Sequence, residues 1–434
     1  MMKIIKWLIN QSPGRILALG FATVITIGTL LLLLPVSLHP HITISPVDAL
    51  FTATSATCVT GLATVDIADT FSVFGQGVIA LLIQVGGLGI ACIGAWLVIF
   101  IGGRMSVKNR LLVKEAWNVT SLKGMLPMIR SVLLLTFLFE GIGVILGYFF
   151  FSQHYPWLKA LKISIFHSIS AFNNAGLDLL GGMQSLVPFQ NDLYINLLTA
   201  ILIIAGGLGF LVLLEIRSGV HPRQWTLHTK VVLVVSSILI VTGMIAFRMT
   251  ENISWLEAFF QSVSSRTAGF STTSIGAFSE VGLFLLCIFM FIGASPGSTG
   301  GGMKTTTAFI LFQTLVGLAK GKQINVYHRA IPQKVVMRSY LIFLISLLTV
   351  CVGTIILCIL EPQFSFIDSL VETVSAFATV GLSTGITPSM SLLGKLLIIV
   401  IMYIGRIGPL TVISLSASQT ETGVRYSKEE IMVG

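Results

Sequence analysis

Long apolar runs separated by short, half-polar stretches set the rhythm of this chain. Eight of the runs approach the roughly 20 residues that a helix needs to cross hydrocarbon, and they predict eight spanning helices. The first, residues 16–34, follows Lys3, Lys6 and Arg15 and runs into Pro35 without a small-residue cleavage site. It reads as an uncleaved span and not as a signal peptide. The stretches between the spans are moderately amphipathic and too short to cross, which predicts re-entrant or buried helices.

Those short stretches repeat. DALFTATSATCVTGLAT (48–64), ISIFHSISAFNNAGLDL (163–179), LEAFFQSVSSRTAGFST (256–272) and DSLVETVSAFATVGLST (368–384) each lead into one glycine: Gly61, Gly176, Gly269 and Gly381. Ser55, Ser170 and Ser375 open a Ser-Ala pair six residues before the glycine; the third copy has Val263-Ser264 instead. A second echo lies downstream, at 86–89, 206–209, Gly293 and 405–408. The unit is therefore span, short helix, glycine loop, span, and it recurs four times. The units cover residues 16–104, 130–217, 229–320 and 338–416, joined by linkers at 105–129, 218–228 and 321–337, with 1–15 before and 417–434 after.

Composition agrees with a lipid-embedded chain. Of 434 residues, 54% are hydrophobic and only 10% charged, against about a quarter charged in soluble domains. The net charge of +9 is unevenly placed. Two spans per unit put every glycine loop on one side and every linker on the other. Of the 26 Lys and Arg, nineteen then fall on the linker side and five on the loop side, with Lys304 and Arg406 at membrane depth. This positive-inside bias predicts cytoplasmic linkers and termini. No aromatic interleaving accompanies the basic residues, which excludes a nucleic-acid partner. The five cysteines (Cys58, Cys92, Cys287, Cys351, Cys358) show no paired spacing for a metal or a disulfide.

Four such units can build a cation pathway. Non-helical backbone is tolerated at membrane depth only where it lines a water-filled cavity or is buried in protein. Four short helices would aim their C-terminal ends, each about −0.5 of an elementary charge, at a common axis. Loop carbonyls can then replace an ion's hydration shell, and glycine permits the required backbone angles. The candidate ion-binding residues are Val59, Thr60 and Gly61; Asn174, Ala175 and Gly176; Thr267, Ala268 and Gly269; Thr379, Val380 and Gly381. Acids cluster on the same side: Asp48, Asp66, Asp69, Glu251, Glu257, Glu361, Asp368 and Glu372. They read as a cation-concentrating vestibule, although Asp48, Glu257 and Asp368 also suit the first turns of the short helices.

The loop endings CVTG, NNAG, RTAG and TVG, the interrupted stretch FIGASPGSTGGGMKTTT (291–307) and IGRIGPLTV (404–412) together resemble the Trk/Ktr/HKT superfamily of potassium transporters, and most closely the membrane subunit of bacterial Ktr systems. The resemblance covers nearly the whole chain. It implies an all-α polytopic fold of four M1–P-loop–M2 repeats with fourfold pseudosymmetry around one pore. It implies potassium as the transported ion when all four loop positions are glycine, as here. It also implies a homodimer in the bacterial plasma membrane and a separate cytosolic ring of RCK-type, nucleotide-binding subunits docked on the basic linkers. Sodium commonly stimulates such systems as an activator; no residue here marks a sodium site. No other cofactor is implied. Pro296, Gly297 and His167 depart from the closest relatives' pattern.

Five glycines and a proline fall within residues 293–302, and no continuous helix survives that. The second span of the third unit is therefore broken, and by resemblance the break is an intramembrane gate containing Ser295, Pro296, Gly297, Gly300, Gly301, Gly302 and Lys304 within a 293–304 loop. Lys304 is expected to anchor to carbonyls or an acid of a neighbouring helix. Arg406 is expected near the pore below the loops, where it could pair with the gate; a buried pair with Glu140 is the alternative. Gly293–Gly297 also matches the G-x-S-x-G elbow, but no span holds a histidine base. The P-loop spacing at 297–305 is broken by Met303. A sodium/potassium carrier with alternating access is the competing transporter reading; carriers usually show inverted repeats, whereas these four run in one sense.

Overall fold

The computed structural model describes residues 11–100, 110–114, 125–321, 325–327, 329–408 and 411. The expected tail at 417–434 and most of the first linker lie outside them. Among the described residues the fold is helical apart from a small hairpin in the third linker, β1 (Asn325–Val326) with β2 (Arg329–Ala330).

Each unit begins with a long apolar helix: α1 (Pro13–Leu32), α5 (Met125–Phe151), α9 (Leu227–Thr250) and α13 (Gln333–Leu360). A short helix follows: α2 (Pro46–Cys58), α6 (Trp157–Phe172), α10 (Trp255–Ser264) and α14 (Phe366–Ala378). The second apolar helix of each unit is α3 (Val73–Leu88), α7 (Leu193–Leu208), α11 (Glu280–Phe291) and α15 (Leu392–Ile407). After a break, α4 (Ile90–Phe100), α8 (Phe210–Arg217) and α12 (Thr305–Ala319) continue three of these.

The eight expected spans, of which the second in the third unit was expected to be broken, take two forms in the structure. Four helices are long and apolar enough to cross unaided. The second span is bent by 96° between α3 and α4 and by 100° between α7 and α8. The cause is local: Gly89, Gly209 and Gly408 have φ of +83°, +93° and +91°, which end the helices that precede them. The break read only in the third unit thus has counterparts in the first and second, and the third differs by inserting a whole loop.

Sequence chemistry fixes where the short helices start. Ser45 and Ser365 accept from the amides of Asp48 and Asp368 at 3.1 and 3.2 Å. Ser254 and Glu257 form a reciprocal capping box. So Asp48, Glu257 and Asp368 lie in first turns, where an acid offsets the helix dipole. Glu251 and Glu361 accept from Ser279 and Ser391, the residues that cap α11 and α15.

The burial pattern is that of a protein dissolved in lipid. Nearly every residue of α2 from Ala49 to Cys58 is buried, polar or not, and α14 repeats this. Meanwhile Ile27, Leu138, Ile238 and Leu348 on the long helices are exposed. Each short helix packs on the first helix of its own unit, and each second helix packs on the short helix of the next: α3 on α6, α7 on α10, α11 on α14 and α15 on α2. The last of these contacts closes the circle.

Candidate functional site

The four short helices end at one place. Two residues before each glycine the backbone is left-handed: φ is +56° at Val59, +58° at Asn174, +81° at Thr267 and +52° at Thr379. Three of these are β-branched and resist that region. Such angles are held only where the surroundings over-determine them, at about 1–3 kcal/mol each. The glycines are left-handed too, at +95°, +67°, +78° and +96°.

The loops form a closed ring. A Cβ built on Gly61 would stand 2.7 Å from Ala175 O, on Gly176 2.6 Å from Ala268 O, on Gly269 2.4 Å from Val380 O, and on Gly381 2.3 Å from Thr60 O. Each glycine thus abuts the carbonyl that precedes the next unit's glycine. No side chain fits at any of the four positions.

Serines brace the ring from behind. Ser55 and Ser375 accept from Gly61 N and Gly381 N at 3.1 and 3.0 Å. In the third unit Ser264 Oγ donates to Phe270 O, and Ser264 O accepts from Ala268 N at 2.9 Å. The missing Ser-Ala pair there is a loop one residue shorter, with Ser264 serving from five positions back. The downstream glycines admit the short helices' last carbonyls: a Cβ on Gly86, Gly206 or Gly405 would stand 2.1, 1.8 or 1.9 Å from Thr57 O, Phe172 O or Phe377 O.

The 293–304 loop lies against this ring. Its ends are tied by Gly293 N to Met303 O at 2.8 Å. Ser295 N and Phe210 N bridge it to the broken α7–α8 span, through Gly207 O (3.1 Å) and Gly297 O (2.9 Å). Gly300 sits under Thr267, where a Cβ would meet Oγ1 at 2.1 Å; Gly301 donates its amide to Thr379 Oγ1 at 2.9 Å; Gly302 packs on Ala378. The Asn174 amide is oriented by the Phe172 and Ile203 carbonyls, which its Nδ2 meets at 3.3 Å, and it also meets the hydroxyls of Thr267 and Thr299.

Two cations complete the arrangement. Lys304 Nζ donates to Gly300 O at 2.6 Å and Gly301 O at 3.3 Å. Its anchor is the loop's own backbone and not a neighbouring helix. Arg406 Nη1 donates to Thr299 O of the loop and Nη2 to Gly86 O at the end of the first unit's α3. Glu140 is not its partner; that carboxylate meets Asn173. Ser295 Oγ pairs with Thr305 Oγ1 at 3.1 Å, so the elbow motif has no base beside it. His167 is a packing residue, bonded to Thr199 at 2.8 Å between the rings of Phe151 and Phe270.

The family model described as TrkH, a cation transport protein, matches residues 15–424. The chain belongs to the TrkH family of cation transport proteins. It is 37% identical to the Ktr system potassium uptake protein B of Bacillus subtilis, over 100% of this chain and 99% of that one. It is 38% identical to the potassium/sodium uptake protein NtpJ of Enterococcus hirae, over 98% and 97%. The crystal structure of the potassium transporter TrkH from Vibrio parahaemolyticus superposes with a TM-score of 0.72 at 22% identity, covering 96% of this chain and 86% of that one, which shows a common fold. Membership of the TrkH family makes the chain a membrane-embedded transporter and not an enzyme.

Two features of this TrkH-family chain escape its sequence pattern. Arg266 reads as a charge on the loop side, yet it is buried, with Nη1 and Nη2 on Ser236 O and Oγ at 3.2 and 3.1 Å. Its place inside the RTAG motif, three residues before the glycine, is the available signal. Asn173, at the same place in NNAG, is the second.

Proposed function

We propose that the chain carries potassium into the cell through a channel-like pore whose filter is the ring of Gly61, Gly176, Gly269 and Gly381 with the carbonyls beside them. The closed ring carries this reading, because four buried loops meeting carbonyl to glycine offer an ion backbone oxygens and no side chain. Relatives named as a potassium uptake protein and as a potassium/sodium uptake protein support potassium as the ion. The 293–304 loop is the gate. It lies on the cytoplasmic side of the ring, held by Arg406 and Lys304, whose charges oppose a cation until the loop moves. The chain sits in the bacterial plasma membrane as a homodimer with its linkers and termini inside. A separate cytosolic RCK-type ring bears on the gate through the basic linkers, in keeping with the Ktr systems named among the relatives, and sodium acts as an activator.

The test is potassium uptake by proteoliposomes or by cells lacking other potassium uptake, with each ring glycine changed to Ser in turn. The added Cβ displaces a neighbouring carbonyl, so every variant should lose selectivity or flux. Normal discrimination between potassium and sodium in all four would remove the filter assignment.

A further inference from the structure

The second filter loop has a support the others lack. Glu140, in the middle of α5, is 6% exposed, and among the described residues no lysine or arginine pairs with it. Its Oε1 accepts from Asn173 Nδ2 at 2.9 Å. The same amide meets Gln84 Oε1 of α3 at 3.0 Å and Ile169 O at 2.9 Å. A Cβ on Gly87 would stand 2.0 Å from Asn173 Oδ1, so α3 is shaped to receive this side chain. Ser168 Oγ donates to Glu140 O at 2.7 Å, and Gly143 lets α5 close onto it, which fixes the carboxylate's own position.

Asn173 stands three residues before Gly176 and directly precedes the left-handed Asn174. The corresponding residues elsewhere are Cys58, Arg266 and Ala378. Cys58 and Ala378 bring no carboxylate network, and Arg266 turns to Ser236. A carboxylate buried at membrane depth is costly and is retained for a role, and a hydrogen-bonded network in low dielectric holds its members stiffly.

We infer that Glu140 is a positioning residue for ion discrimination: through Asn173 it sets the start of the second filter loop and, with Gln84, clamps that loop to the first unit. This rests on the filter reading above. The spacing and the number of the oxygens in a ring both bear on the choice between a larger and a smaller monovalent cation. A support on one side therefore tunes that spacing without touching the ion.

The experiment measures potassium and sodium uptake by proteoliposomes holding the full chain, with Gly176→Ser as the filter control. Glu140→Leu removes the acceptor and should lower the potassium-to-sodium ratio roughly tenfold, the effect expected when one buried donor is left without its hydrogen-bond partner. Glu140→Gln keeps an acceptor for Asn173 and should restore the ratio, a rescue that mere packing would not require. If Gly176→Ser changes the ratio while Glu140→Leu does not, the inference is overturned and the filter stands. If Gly176→Ser alters neither the ratio nor the flux, the second loop's place in the filter falls, and this inference with it. Should Glu140→Leu fail to reach the membrane, Glu140→Asp decides: it keeps charge and fold but retracts the carboxylate by one methylene. A lowered ratio then supports the role and an unchanged ratio overturns it.

Discussion

At the scale of single residues, conformation constrains this site more than chemistry does. Gly269 is the tightest case among the three glycines that face polar carbonyls of later units, because its φ is +78° and an added Cβ would lie 2.4 Å from Val380 O. Gly269→Ala therefore combines left-handed strain of about 1–3 kcal/mol with a displaced backbone carbonyl. Potassium uptake should fall with the protein still present in the membrane, which flux and quantitative immunoblotting together would show. The Asp48–Lys395 pair at the outer rim, 2.7 Å apart, makes a second residue-scale case. Burial works against the Asp48 carboxylate, but its hydrogen bonds with Lys395 and Ser45 prevail and hold it below the ordinary carboxylate value. A depressed acid contributes stability above its unfolded pKa and loses it as the pH falls through the folded one. Detergent-solubilised protein should thus lose this contribution on acidification below about pH 4. Asp48→Asn should flatten that part of the pH–stability curve; an unchanged curve would contradict the assignment.

At the scale of elements, the 293–304 loop is held by few and identifiable bonds. Arg406 supplies one to the loop and one to α3. Charge-assisted bonds of this kind are worth about 1.5–3 kcal/mol each, so Arg406→Gln should raise the loop's open population about tenfold or more. The readout is potassium flux without any regulatory subunit, which should rise; flux no higher than that of the unaltered chain would exclude Arg406 as a latch. Much of this was legible in advance. The spacing of residues 293–302 announces a broken helix because glycine and proline act locally. The bends at Gly89 and Gly209 did not announce themselves, since the Gly-Gly-Leu-Gly stretches at 86–89 and 206–209 hold no proline and lie in long apolar runs, where glycines read equally well as sites of close helix packing. Arg266 and Arg406 show the same limit. A charge in the sequence does not say which buried oxygen it will find, because that depends on segments dozens of residues away or more.

At the scale of the molecule, each of the four short helices is buried between its own unit and the unit before it, so the ring of loops depends on all four units. In the filter proposed above, an ion meets all four loops. Ligand binding to the folded state stabilises it by about 2.7 kcal/mol at a hundred times Kd. Potassium should therefore raise the melting temperature in detergent relative to choline, and Gly269→Ala should abolish the difference. The fourfold recurrence was the most readable feature of the chain, because each unit repeats its glycines and apolar lengths, and three of the four begin the short helix with a serine cap. The circular order was not readable, since sequence similarity among units says nothing about which one neighbours which. That order carries a further consequence for biosynthesis. The first and last units meet at a seam, where Gly381 abuts Thr60 O, Lys395 reaches Asp48 and the Tyr403 hydroxyl bonds Ala18 O at 2.6 Å. A nascent chain that has inserted only three units has no partner for either free edge. The ring of loops therefore closes only when the final helix arrives, so its completion is the last event of insertion.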